Sequence, residues 1–145
     1  METNFKKVHT GKDLAISSIV LLAGAGLFFA NKGLGVCLAI CGLFMFILYK
    51  AGYKKDGQGI VLLKKSEDLC KAGKSSIIEY LDGKDVIPQI KKGNEGGSIR
   101  LDVYYNTAAG IAYAQLFDFR NYTYEPETGV VELHSPRADK LVSLL

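Results

Sequence analysis

The first candidate for chemistry is a phosphate-binding motif at residues 72–76, where Gly73, Lys74 and Ser75 stand just before a short helical pattern. A P-loop needs a further glycine five residues before Gly73, because the backbone N–H groups of a glycine-rich loop surround the phosphates. That position is Asp68 in this chain. The segment is therefore interpreted as a turn followed by a helix, and no nucleotide cofactor is predicted.

A second candidate for anion binding is the glycine-rich segment at residues 93–98, Gly-Asn-Glu-Gly-Gly-Ser. Successive backbone N–H groups in such a run can point at an anion. Segments of this composition more often form a flexible connection into a strand, because glycine and asparagine tolerate the backbone angles of turns. The second interpretation is favoured.

The three cysteines offer little chemistry. Cys37 and Cys41 lie one helical turn apart in an apolar run, where they are predicted to serve as small packing residues. Cys70 and His134 could form a thiol–imidazole pair for nucleophilic catalysis, but nothing in the sequence brings them together. Without a C-x-x-C pair, neither a zinc site nor a disulfide framework is expected. No catalytic, cofactor-binding or metal-ligating residue is predicted.

The clearest indication of a binding surface is a dense group of aromatic residues between positions 104 and 124. Apolar alternation in this segment predicts that three of them lie in the core: Tyr105, Phe117 and Phe119. Three others are predicted to be exposed and to form an interaction surface: Tyr104, Tyr122 and Tyr124. Tyrosine is enriched at protein interfaces because it adds contact area at a low cost in conformational entropy. The alternative is ordinary strand composition.

Two apolar runs near the start of the chain predict where the tyrosine-bearing segment lies relative to a membrane. They cover residues 14–30 and 33–49, are separated only by Asn31 and Lys32, and contain no charged residue or histidine. Each would form a helix about 26 Å long at ~1.5 Å per residue, close to the ~30 Å of a bilayer core. The sequence therefore predicts a transmembrane helical hairpin over residues 14–49.

Lysine residues on both sides of the predicted hairpin predict its orientation. A plasma-membrane or inner-membrane protein with both termini in the cytoplasm is expected, because lysines precede the first run and follow the second. The lysines predicted to contact lipid headgroups are Lys50, Lys54 and Lys55. The alternative is that they only fix the topology. Cleavage of the first run as a signal peptide is a further alternative, since Ala23, Gly24 and Ala25 form an A-x-A site.

Small residues are frequent in both apolar runs, at positions 23–26 and again at Gly35, Ala39 and Gly42. Such residues let two helix backbones approach closely. They are predicted to pack the two helices of the hairpin against each other. A contact between copies of the chain is the alternative interpretation.

The domain organisation follows from these segments: an N-terminal tail at 1–13, the hairpin at 14–49, a basic linker at 50–59 and a small α+β domain at 60–145. Within that domain, alternation predicts a β-hairpin over residues 99–105 and 111–119. A first strand at 60–65, a third at 130–133 and two helices complete the order β-α-β-β-β-α. The helices are predicted to begin at the capping residues Ser76 and Ser135. An antiparallel sheet with helices on one face is expected.

Charge excludes one class of function. The chain carries a net charge of +3, but residues 75–145 hold seven basic and ten acidic residues, a difference of −3, with no basic stripe for nucleic acid. The leading hypothesis is a non-enzymatic, membrane-anchored scaffold with lipids and a protein partner, or a second copy, as its contacts. The alternatives are an oligomeric channel or holin-like permeabilising protein, and a membrane-tethered enzyme.

Overall fold

A computed structural model describes residues 4–145, which divide into two units at residue 61. The segment Asn4–Val61 is called the hairpin unit, and Leu62–Leu145 the sheet unit. The first unit contains two long helices and a two-stranded sheet, and the second contains a five-stranded sheet with two helices. The described part of the chain is therefore α+β in class.

The hairpin unit consists of β1 (Phe5–Val8), α1 (Gly11–Leu27), α2 (Lys32–Leu48) and β2 (Gly52–Lys55). The two strands pair antiparallel, with Lys6 opposite Lys54. They lie in the segments predicted as a tail (1–13) and a linker (50–59), and residues 1–3 of that tail lie outside the described residues. The two ends of the helical hairpin are thus joined by backbone hydrogen bonds.

A single carboxylate fixes the start of α1. Thr10 and Asp13 form a capping box, in which each side chain accepts a hydrogen bond from the backbone N–H of the other. Asp13 also accepts from the N–H of Ala51, at 2.8 Å, just beyond the end of α2. Burial acts to raise the pKa of Asp13, but these N–H donors lower it below its ordinary value.

Glycines allow α1 and α2 to pack backbone against backbone. A Cβ atom added to Gly24 would lie 2.4 Å from the backbone nitrogen of Ala39, and one added to Gly35 would lie 2.4 Å from the Cα of Phe28. A Cβ at Gly42 would meet the backbone nitrogen of Leu21 at 2.7 Å. Contacts this short exclude any larger residue, so the prediction that small residues pack the hairpin against itself is confirmed.

Within residues 4–145, no helix combines the length and the apolar character needed to cross a bilayer, so the predicted transmembrane hairpin is wrong. The reason lies at the helix ends. The helix α1 ends at Leu27 instead of residue 30, and its first turn contains Lys12 and Asp13. From Leu14 to its end it is about 21 Å long at ~1.5 Å per residue, against ~30 Å for a bilayer core. The helix α2 begins at the charged residue Lys32.

The predictions that depend on membrane spans are wrong for the same reason. These are the integral-membrane location with both termini in the cytoplasm, the membrane-anchored scaffold, the channel or holin-like protein, and the membrane-tethered enzyme. The apolar composition of the helices is real, however. Many of their large side chains are solvent-exposed, among them Ile19, Leu22 and Leu48.

The sheet unit contains five strands in an antiparallel sheet. Its elements are β3 (Leu63–Cys70), a short 3-10 helix (Lys71–Gly73), α3 (Lys74–Leu81), β4 (Ser98–Asn106), β5 (Ile111–Arg120), β6 (Thr123–Pro126), β7 (Val131–His134) and α4 (Arg137–Leu144). The strand order is β3-β4-β5-β6, and β7 pairs with the other end of β5. The predicted β-hairpin corresponds to β4 and β5, and β6 is an additional strand that the sequence did not indicate.

Both helices of the sheet unit cover one face of the sheet. The core is formed by buried residues of β3, β4, β5 and β7 together with residues of α3 and α4: Leu69, Ile99, Leu101, Val103, Ala112, Ala114, Leu116, Leu133, Ile77, Leu81, Ala138 and Leu141. On β4 the alternating residues Ile99, Leu101 and Val103 are buried, whereas Tyr105, predicted to lie in the core, is partly buried against it and Asp102 is buried as well. On β5 the small residues Ala112 and Ala114 face the helices, so Phe117 and Phe119 point to the opposite face. Their predicted place in the core is wrong, because alternation alone does not say which of two apolar sets faces the helices.

The predicted helix caps are also corrected. The helix α3 begins at Lys74, so Ser76 lies inside it, donating to the carbonyl of Gly73 and accepting from the N–H of Gln89. The helix α4 begins after Pro136, and the Ser135 hydroxyl donates to the Asp139 carboxylate instead of accepting from a backbone N–H. Both hydroxyl groups thus join segments or side chains and do not cap a helix.

Candidate functional site

One end of the sheet carries an open cleft of about 420 Å³. We call it the aromatic cleft, and its lining residues are Asp68, Gly93, Asn94, Ser98, Phe119 and Tyr124. They come from four strands and from the loop that precedes β4. The cleft lies on the face opposite α3 and α4, because the register places Asp68 beside Arg100, whose neighbours Ile99 and Leu101 face the core.

The two rings of the cleft are brought together by a tight turn. Phe119 at the end of β5 lies directly opposite Tyr124 on β6. Their ring centroids are 5.1 Å apart at an interplanar angle of 61°, an edge-to-face arrangement. The intervening residues Asn121 and Tyr122 both have positive φ, 51° and 62°, as a type I′ turn requires. This turn returns the chain so that the two aromatic residues meet.

Tyr124 extends across the sheet face and fixes the floor of the cleft. Its hydroxyl group donates to the Asp68 carboxylate on β3, at 3.0 Å, and lies 2.9 Å from the Ser98 hydroxyl on β4. Because a tyrosine hydroxyl has one hydrogen, and Asp68 receives it, Ser98 must be the donor to Tyr124. The three side chains form a directed chain from Ser98 through Tyr124 to Asp68.

A partly buried cation lies against the tyrosine ring. The Arg100 guanidinium carbon is 4.6 Å from the Tyr124 ring centroid and 4.9 Å from that of Phe117, in the range of cation–π contacts. Its Nε lies 3.2 Å from the Asp102 carboxylate, an ion-pair distance, although this N–H is not directed at a hydrogen-bond acceptor among residues 4–145. Arg100 thus packs on the Tyr124 ring, and it shares the Asp102 carboxylate with Lys64, which lies 3.1 Å from it.

The glycine-rich loop forms the remaining wall. Gly93, Gly96 and Gly97 have φ values of +127°, +73° and +114°, which favour glycine. The loop is attached to the end of β3, because the N–H of Gly93 donates to the carbonyl of Asp68. The predicted connecting segment therefore also contributes to a site, and the charged residue that lines this site with it is Asp68, whose carboxylate disfavours the anion considered for the segment.

Asp68 differs from the other carboxylates nearby. Glu67 pairs with Lys92 at 3.0 Å, and Glu95 pairs with Lys91 at 2.9 Å. No lysine, arginine or histidine nitrogen of the described chain lies within 4.0 Å of the Asp68 carboxylate. The cleft therefore contains one exposed carboxylate whose charge is not balanced by an ion pair.

A second group of charges lies beside the start of α3. Asp118, 1% exposed, contacts Lys74 at 2.9 Å, Arg120 at 3.0 Å and Lys71 at 3.4 Å. Lys74 and Arg120 also pair with Glu127, at 2.8 Å and 2.6 Å. The hydrogen bond from Lys74 is the main cause that lowers the pKa of Asp118 to about 2. Lys74, the lysine of the phosphate-binding candidate, is thus held by two carboxylates, which supports its interpretation as structural.

The three predicted tyrosines have different surroundings. Tyr124 lines the aromatic cleft, whereas Tyr122 is 97% exposed at the tip of the β5–β6 turn. Tyr104 lies on β4 with the Lys64 ammonium 5.2 Å from its ring centroid. The structure therefore joins Tyr124 to the glycine-rich loop and leaves Tyr104 and Tyr122 outside the cleft.

The other predicted residues do not converge. The buried Cys70 contacts the carbonyl of Lys92 through its sulfur, and His134 pairs with Glu132, so no thiol–imidazole pair forms. Cys37 and Cys41 are exposed on α2, which corrects their predicted packing role. The three lysines predicted as lipid contacts lie after α2, the last two within β2: Lys50, Lys54 and Lys55.

Asp68 and Phe119 line the cleft although the sequence does not predict either as a site residue. In the sequence Asp68 only breaks the P-loop pattern, and the alternation around Phe119 predicts a place in the core. Only the strand register brings them together, since they are 51 positions apart and lie on non-adjacent strands. The cross-strand pair of Phe119 with Tyr124 would have been the one local signal, because a two-residue turn separates their strands.

Residues 4–145 contain no group of three or more His, Cys, Asp or Glu side chains arranged to hold a metal ion. Comparison with known proteins adds no functional assignment to this geometry. No protein-family model matches the chain. No curated protein and no solved structure is significantly similar to it.

Proposed function

We propose that this chain is a non-enzymatic binding protein and that the aromatic cleft accepts a side chain of a protein partner. The observation that carries the proposal is the exposed ring of Phe119, 44% accessible, held edge-on to Tyr124 at the mouth of the cleft. Aromatic side chains of this kind supply much of the energy at protein interfaces because they bury large area with few rotatable bonds.

The cleft is prepared for binding before any partner arrives. Tyr124 is restrained by Ser98 and Asp68 through its hydroxyl, by Arg100 below its ring and by Phe119 at its edge. A restrained aromatic side chain loses little conformational entropy on association, which favours affinity. The rigid floor supports a role in recognition.

The shape of the site favours a side chain on a larger surface over a free small molecule. Small-molecule sites bury roughly 70–90% of their ligand. Here Asp68, Asn94 and Phe119 are exposed, so a ligand in the cleft remains open on one side. A partner protein closes that side with its own surface.

The hydrogen-bond chain of the cleft supports a role without catalysis. A catalytic serine requires a base that removes its proton. The Ser98 hydroxyl instead donates to Tyr124, which is a poor base because its own hydrogen is donated to Asp68. The polar groups hold one another in position and support the aromatic surface.

Selection from a random peptide library displayed on phage, with the full chain as target, tests the proposal. We expect selected peptides to bind with micromolar affinity and to lose at least tenfold on Phe119→Ala. Tyr122→Ala is the matched control, since it removes an exposed aromatic side chain outside the cleft, and we expect it to bind as the unaltered chain does. Peptides that bind the unaltered chain, Phe119→Ala and Tyr122→Ala equally well would contradict the proposal.

A further inference from the structure

We infer that the side chain accepted by the aromatic cleft is basic, with its cationic group between the Asp68 carboxylate and the rings of Phe119 and Tyr124. This inference rests on the proposed function and names the chemistry of the ligand. Three independent features of the cleft carry it: its unbalanced charge, its hydrogen-bonding capacity and the orientation of its rings.

The charge of the cleft comes from Asp68. Neighbouring carboxylates already have cations, with Glu67 paired to Lys92 and Glu95 to Lys91. Arg100 lies on the Tyr124 ring, 4.6 Å from its centroid, and is 3.2 Å from Asp102, a carboxylate that also pairs with Lys64 at 3.1 Å. Of the described residues that line the cleft, Asp68 is the one with a charged side chain, and its carboxylate attracts a cation and repels an anion.

The hydroxyl groups of the cleft are oriented to accept. Ser98 donates its hydrogen to Tyr124, and Tyr124 donates its hydrogen to Asp68. Neither hydroxyl has a hydrogen left for a ligand, so the Ser98 oxygen and the second Asp68 oxygen remain as acceptors. A ligand group that only donates matches this set, and lysine ammonium and arginine guanidinium groups are of that type.

The rings add a non-polar surface that attracts cations. The face of an aromatic ring carries partial negative charge, and a cation within ~6 Å of its centroid is stabilised. The fold already uses this property, because Arg100 occupies one face of Tyr124 at 4.6 Å. Phe119 offers exposed ring surface beside Asp68, so the aliphatic stem of a basic side chain can pack on it while its charged end reaches the carboxylate.

Titration of the full chain with n-butylammonium, followed by NMR signals of Phe119 and Tyr124, tests this inference. The neutral probe n-butanol has the same chain without the charge. We expect n-butylammonium to bind at millimolar concentration and at least tenfold more tightly than n-butanol. Asp68→Asn should remove that preference, since its amide oxygen still accepts from Tyr124 while the charge is gone. Asp85→Asn, a loss of the same charge outside the cleft, should preserve it.

Equal binding of the two probes, binding of neither, or full retention of the preference in Asp68→Asn would overturn the inference. The selected peptides separate this failure from failure of the proposed function. Peptides that require Phe119 but bind Asp68→Asn unchanged would leave a binding cleft whose ligand is not basic. Peptides that do not require Phe119 would remove the cleft itself as the binding site.

Discussion

The hairpin unit and the sheet unit differ in what lies between their packed elements. Between α1 and α2 the buried positions are small or polar: Asp13, Ser17, Gly24, Gly35 and Gly42. The large apolar side chains of these helices include many that are exposed. Between the sheet and the helices α3 and α4, in contrast, large apolar side chains are fully buried, such as Leu101, Ile77 and Leu141.

Apolar composition and a core of buried side chains are therefore separate properties of a segment. In the hairpin unit the backbones touch, so stability depends on the absence of side-chain atoms at the contact. In the sheet unit stability depends on the presence of side-chain atoms at the contact, because each buried methylene contributes about 0.8 kcal/mol through its removal from water. The two units should therefore respond oppositely to added and removed atoms.

The largest effect is expected in the core of the sheet unit. Leu141→Asp should lower the free energy of unfolding by about 4 kcal/mol, because it buries an unpaired charge among apolar side chains. Leu141 is fully buried, whereas Leu144 on the same helix is 38% exposed. Leu144→Asp is therefore the matched control, with an expected loss below about 1 kcal/mol. Hydrogen exchange within the sheet unit measures both, and equal losses would mean that α4 is not docked on the sheet.

The next largest effect is expected in the hairpin unit, where one added methyl group disrupts the contact between α1 and α2. Gly35→Ala should destabilise the helical pair by about 3 kcal/mol, since its Cβ would lie 2.4 Å from the backbone of Phe28. Gly26→Ala makes the same change where no atom lies within 4 Å, and it should stabilise α1 by about 1 kcal/mol through helix propensity. Hydrogen exchange of amides in α1 and α2 reports both changes. The same sign for the two variants would contradict packing by glycine.

An effect of intermediate size is expected at low pH, where the buried carboxylates of both units lose their contribution to the free energy of unfolding. The pKa of Asp118 is about 2 in the folded chain and near 3.8 when unfolded. Ionised Asp118 contributes about 2 kcal/mol to the free energy of unfolding. This contribution is present above pH ~4 and is lost as the pH falls toward 2. Asp13 in the hairpin unit has the same sign, since its pKa is also lowered. Denaturant unfolding at pH 6 and pH 2 should show a smaller loss for Asp118→Asn than for the unaltered chain.

An identical loss in both proteins would mean that the ion pairs of Asp118 with Lys74 and Arg120 do not hold it ionised. The comparison requires Asp118→Asn to fold at pH 6, which circular dichroism establishes beforehand. A lower stability of Asp118→Asn at that pH is expected in itself, because the substitution removes one of the two carboxylates with which Lys74 and Arg120 pair.

The smallest effect is expected at the β5–β6 turn of the sheet unit, where the backbone conformation of one residue lowers the stability. Tyr122 has φ of +62°, a conformation that glycine adopts without strain. Tyr122→Gly should therefore raise the free energy of unfolding by about 1 kcal/mol. The side chain is 97% exposed, so little packing is lost. Thermal unfolding measures the change, and a lower melting temperature would show that the tyrosine side chain stabilises the turn.

Local patterns predicted several elements correctly. The alternation of Ile99, Leu101 and Val103 is sufficient to predict a strand with one face in the core, and all three residues are buried on β4. The length of an apolar run predicted the helix ends poorly. The helix α1 includes the polar residues Lys12 and Asp13, and it ends at Leu27, before the last residues of the apolar run. Helix ends depend on capping contacts, and Asp13 makes one of these with Ala51, 38 positions away.

Sequence patterns were sufficient for two features of this protein, the strand pair β4–β5 and the close packing of the two glycine-bearing helices. These follow from contacts between residues near in sequence, whose spacing has a fixed period. The face of β5 that meets the helices, and the set of side chains that share the aromatic cleft, depend on the packing of the whole sheet unit. Asp68, Ser98 and Tyr124 meet through strand order and register, which are set by the packing of the whole sheet and not by any local pattern.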